Sequence, residues 1–115
     1  RHMGLFPKAT LIDHASKYEN DKWYDLPKDD YHITPNVKTV ATPGHTKEDI
    51  TVLVSNVTNI EKDILVTVSV CHLWWYEGKD DDPTAQNIDE LKASREKISK
   101  MADYIIPGHG AMFRI

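Results

Sequence analysis

The sequence predicts a single domain of the α/β (α+β) class, a mixed sheet with one amphipathic helix covering one side. Three observations predict it. Segments 50–54 and 64–70 are strand-length and rich in β-branched residues. One later stretch places Ile88, Leu91, Ile98 and Met101 at helical spacing, with Lys92, Arg95, Glu96 and Lys100 on the other face. A short apolar run, 104–106, follows that helix and reads as a buried strand. At 115 residues, 40% hydrophobic and 28% charged, the chain suits one soluble domain with a modest core.

Taken in order, residues 1–3, Arg1-His2-Met3, read as an expression scar, which removes His2 from site reasoning and leaves 4–115 as the domain. Residues 9–13 form a short strand after a Phe6-Pro7 turn. Residues 17–30 are polar, with Trp23, Tyr24 and Leu26 as anchors, and predict an irregular excursion. Residues 31–42 predict one or two strands broken at Pro35-Asn36, and the polar 56–63 stretch predicts a hairpin loop between the two strongest strands. Residues 74–82 form an aromatic and then acidic loop. Asp82-Pro83 opens a turn, and Asn87 with Glu90 three positions on forms a capping box for the helix.

The net charge of −4 argues against a broad electrostatic grip on nucleic acid, while leaving room for a nuclease whose metal ions supply the positive charge. One cysteine, Cys71, excludes an internal disulfide and fits a reducing compartment, so a cytoplasmic or nuclear location is expected. No apolar run approaches membrane-spanning length, and no membrane partner is expected.

The most informative feature is a repeated tripeptide. Pro43-Gly44-His45 and Pro107-Gly108-His109 each follow a β-rich stretch. Pro then Gly suits the centre of a type II turn, and a His just after it is aimed by the backbone. Two such histidines in one small domain point to a shared metal ion. His72 ends the most hydrophobic strand, at an edge where open sheets place their sites. Its neighbour Cys71 points to the opposite face by the period-two rule and reads as a buried small hydrophobe. His14 and His32 read as surface or packing residues, and Asp80-Asp81-Asp82 as a solvated loop. Trp74, Trp75 and Tyr76 read as packing over the sheet.

The segment Thr42-Pro43-Gly44-His45-Thr46, the strand into Cys71-His72, and the end 102–110 with its second Pro-Gly-His resemble the metallo-β-lactamase fold of hydrolases, in that family's order and rough spacing. The run Asp82-Pro83-Thr84-Ala85-Gln86, Ser94-Arg95, and the close 107–113 narrow the resemblance to one branch associated with RNA 3′-end processing. The resemblance implies the C-terminal half of an αββα sandwich, with zinc as the cofactor and His45 and His109 as ligands. His72 falls where the family has an Asp that bridges two metals; imidazole cannot span two ions as a carboxylate does. Either the position is mutated, or Glu77 or Asp80 supplies the oxygen instead, or this piece does not build a normal dinuclear centre. The family's first metal motif, His-x-His-x-Asp-His, is absent from the chain.

By that resemblance the parent is expected to be a zinc-dependent phosphodiesterase or endoribonuclease, acting on RNA or a small molecule through a metal-held hydroxide. This chain alone is expected to hold one zinc or none and to turn over little. It is also expected to self-associate, or to exchange elements between copies, and so cover an open sheet face. The alternative is a non-catalytic interaction or scaffold module with no metal site.

Overall fold

The computed structural model describes residues 6, 8–27, 29–77 and 82–115. Residues 1–3, expected to be a scar, Pro7 of the expected Phe6-Pro7 turn and the Asp80-Asp81 part of the acidic tract fall outside the described residues. The strands are β1 (Leu11–Ile12), β2 (Ser16–Glu19), β3 (Lys22–Asp25), β4 (Tyr31–Thr34), β5 (Val37–Ala41), β6 (Ile50–Glu61) and β7 (Ile64–Val70); then come α1 (Ile88–Ser99), β8 (Tyr104–Ile106) and β9 (Phe113–Arg114). A small sheet orders β1-β2-β3, and a six-stranded sheet orders β4-β5-β6-β7-β8-β9. All neighbours are antiparallel except β7 and β8, whose parallel pairing needs the crossover that α1 provides. The fold is thus a mixed sheet with one helix, compatible with half of a metallo-β-lactamase sandwich.

The expected irregular excursion at 17–30 is instead the β2–β3 hairpin. Asn20 and Asp21 both take positive φ (51° and 62°) between the paired Glu19 and Lys22, the twist that a two-residue hairpin loop requires. The expected loop at 56–63 is also corrected. β6 runs on to Glu61, and the pairing with β7 shifts register around Asn56 and Asn59, both at positive φ. Asparagine tolerates that conformation, so polar residues here make bulges rather than a loop.

Register sorts the large sheet's faces. Val40, Leu53 and Ile105 point one way and pack with Leu91 and Ile98 of α1, Leu73, Trp74 and Cys71. Phe113 joins the edge of that core against Trp74. The helix begins where expected, since the Asn87 side chain accepts from the Glu90 N–H at 3.0 Å. Its buried stripe differs. Ile88 is 46% exposed, whereas Arg95, expected on the solvent face, is buried; it donates from Nε to the Leu73 carbonyl at 2.7 Å and lies over the Trp74 ring. The opposite sheet face carries Val37, Val52, Val54, Val68, Val70 and Ile106; Val68 in its middle is buried, and the exposed members lie at its end. Val70 and Ile106 are 42% and 37% exposed.

Candidate functional site

Three loops meet at one rim of the large sheet: the link after β5, the exit of β7, and the exit of β8. The first is clamped to the start of α1. Gly44 and His45 carbonyls accept from Asn87 and Gln86 N–H at 3.0 Å each, and Ser94 Oγ donates to the Pro43 carbonyl at 2.7 Å. Gly44 has φ 148°, and a Cβ there would collide with the Leu91 backbone. The third loop hangs on the second, with Gly108 N–H donating to the Trp74 carbonyl and His109 N–H to that of Trp75. Gly108 is not at positive φ; it is needed because His72 lies where a Cβ would stand. The two Pro-Gly-His tripeptides are therefore different turns. Each places its glycine for a different close approach, and the type II geometry expected of both is not what unites them.

The structure gathers all three candidate ligands. The rings of His45 and His72 have centres 4.1 Å apart, edge to face, and those of His72 and His109 are 5.2 Å apart. Trp75 packs against all three imidazoles at 5.2 to 6.3 Å, and Tyr76 lies over His109. Trp74 packs in the core as expected, whereas Trp75 lines the cluster. The Trp75 Nε1 is buried without a hydrogen-bond partner among the described residues. His72 is pushed below the ordinary imidazole pKa, chiefly by burial and then by the neighbouring His45 and His109 charges. Cys71 is buried in the core, and burial pushes its thiol up, away from thiolate chemistry.

The residue that composition did not flag as part of the site is Asp82. Its side chain is fully buried, with Oδ2 at 2.7 Å from His45 Nδ1 and Oδ1 accepting from both the N–H and the hydroxyl of Thr84 at 3.0 Å. Burial alone would raise its pKa; the His45 and Thr84 hydrogen bonds outweigh this and hold the carboxyl below its usual range. In sequence it looked like the end of a solvated acidic run, and only the Asp-Pro turn hinted otherwise. Glu77 is exposed, with its carboxylate over Gly110, and Asp80 lies outside the described residues. His14 lines a cleft of about 650 Å³ with Pro43, Lys47 and Asp49, and His32 one of about 360 Å³ with Lys38 and Met101; neither joins the cluster.

The donor chemistry suits a zinc ion: three imidazoles, one of them backed by a carboxylate as ligating histidines are. The spacing suits it less. Two imidazoles sharing a tetrahedral zinc at ~2 Å have ring centres about 5 Å apart, which His72 and His109 meet and His45 and His72, at 4.1 Å, do not. Among the described residues no three His, Cys, Asp or Glu side chains are placed to hold one ion. The misfit lies in the His45–His72 pair, whose rings touch too closely to share one ion.

No protein-family model matches the chain. An uncharacterised protein of Caenorhabditis elegans is 38% identical over 121 residues, 96% of this chain and 32% of that protein. Metallo-β-lactamase domain-containing protein 1 of Xenopus laevis is 35% identical over 122 residues, 99% of this chain and 50% of the relative. The protein of the same name from Mus musculus is 30% identical over 124 residues, 99% of this chain and 45% of the relative. The chain spans from 32% to 50% of the length of these relatives. Over 99% of its length, the chain is a homologue of the metallo-β-lactamase domain-containing proteins and corresponds to about half of each.

Proposed function

We propose that this chain is the C-terminal part of a zinc-dependent hydrolase of the metallo-β-lactamase fold, a phosphodiesterase or endoribonuclease when whole, and that alone it binds one zinc at most and turns over little. The observation that carries the reading is the meeting of His45, His72 and His109 at one sheet rim, with His45 backed by a buried carboxylate. His45 and His109 are the ligands of this reading, each delivered by a loop whose backbone is hydrogen-bonded in place. His72 is the third ligand of this reading, and its contact with His45 has to open for all three to share one ion. Trp75 and Tyr76 pack beside the cluster. If His45 and His109 hold a zinc, the chemistry it would supply is activation of water near neutral pH and stabilisation of charge on the substrate. The substrate is RNA or a smaller phosphodiester, and the location cytoplasmic or nuclear. Among the described residues, no helix is long and apolar enough to cross a membrane.

Metal content by mass spectrometry and a phosphodiesterase assay test this on the native chain and on His45→Ala/His109→Ala. About one equivalent of zinc or less in the native chain, falling to background in the double variant, is expected. Equal metal in both removes the site.

The closeness of His45 to His72 favours a second reading, a non-catalytic interaction module whose imidazoles simply pack. A melting temperature unchanged by zinc and by chelator supports that reading, because a ligand of the folded state must raise it.

A further inference from the structure

We infer that Asp82 is a positioning residue that locks His45 in one tautomer, with the proton on Nδ1 and the Nε2 lone pair turned to the cluster. The inference rests on the proposed zinc site for its purpose, but its geometry stands alone.

An ionised carboxylate only accepts hydrogen bonds. With Asp82 Oδ2 2.7 Å from His45 Nδ1, the neutral ring must carry its proton there. Nε2 is then the nitrogen left for a ligand. The contact is built rather than incidental. Asp82 Oδ1 is committed to two donors from Thr84, so the carboxylate cannot swing away without stranding them. Segments 44–45 and 82–87 are also tied by two backbone hydrogen bonds, and Gln86 Oε1 accepts from the Lys47 N–H at 3.2 Å. Both partners are therefore held from either side. Ligating histidines are typically oriented by a carboxylate on the other ring nitrogen, and losing it costs affinity.

The Thr84 contacts make the conservative variant informative. In Asp82→Asn the amide oxygen is retained by the two Thr84 donors, so the NH₂ faces His45 Nδ1. Nδ1 must then accept, and the proton moves to Nε2. The variant is nearly isosteric yet inverts the tautomer.

Long-range proton–nitrogen spectra of the 115-residue chain with labelled histidine, recorded in chelator well above the imidazole titration, read this directly. The native chain is expected to show His45 as Nδ1–H and Asp82→Asn to show it as Nε2–H, with the His14 and His32 signals unmoved. Zinc affinity, measured by competition with a chromophoric chelator, should fall about 10- to 100-fold in the variant. A native His45 protonated on Nε2, or a native-like tautomer in a folded Asp82→Asn, overturns the inference. So does zinc binding of equal strength in both proteins. The expected tautomers in a chain with no zinc affinity sink the metal reading and leave the positioning role intact.

Discussion

Gly44 meets two demands at once, a φ of 148° and a helix backbone where its side chain would be. Neither can relax cheaply, because the obstacle is the Leu91 main chain. Gly44→Ala should cost at least about 2 kcal/mol, read as a lower urea midpoint; a loss within about 0.5 kcal/mol would show that the clamp is soft. At Gly108 the obstacle is the His72 ring, a side chain that can turn aside. Gly108→Ala should therefore cost less in stability while displacing the His72 ring signals. The Pro-Gly-His repeat was legible in the sequence as a pair of aimed histidines. That one glycine serves a helix and the other an imidazole was not, because close approach depends on what folds back from elsewhere. Asp82 was hidden for the same reason: an acidic run reads as solvated until its partner, 37 positions away, is known.

Among the elements, the small sheet rests on its turns. Asp13 closes the β1–β2 turn, accepting from Ala15 N–H at 3.0 Å and from the Ser16 N–H and hydroxyl. The Ala15 hydrogen bond, opposed by burial and aided by Ser16, holds its carboxyl below the ordinary value of 3.8. A depressed carboxyl stabilises the fold above its unfolded value, and that support is lost as pH falls through the folded one. The β1–β2 turn should thus loosen only below about pH 4, seen in its amide shifts and in the Tyr18–Trp23 ring signals. Asp13→Asn should weaken the turn at neutral pH and flatten this acid dependence; a turn indifferent to both would refute it. The Asn20-Asp21 hairpin signal was available in sequence and was outweighed by the polarity around it. The bulges of β6 were not legible, since alternation fails wherever a register shift resets which face a residue takes.

For the molecule as a whole, the unequal dress of the large sheet matters most. One face packs on α1; the other buries Val66 and Val68 but leaves Val70 and Ile106 exposed at its end. Such a face invites cover. The 115-residue chain should self-associate through it at high concentration in light scattering, and Val70→Asp/Ile106→Asp should restore the monomer. A monodisperse native monomer would end the proposal. The architecture was legible because period-two and helical spacing survive within single elements; the pairing order, and β9 with it, depended on contacts between distant ones. The parallel β7–β8 seam has one more consequence. His45, His72 and His109 come from three stretches separated by whole elements, and the last arrives only after the helix has crossed and β8 has zipped in beside β7. Any form of the chain with that seam unzipped has no cluster to offer, so ligand capture can select only the fully closed molecule.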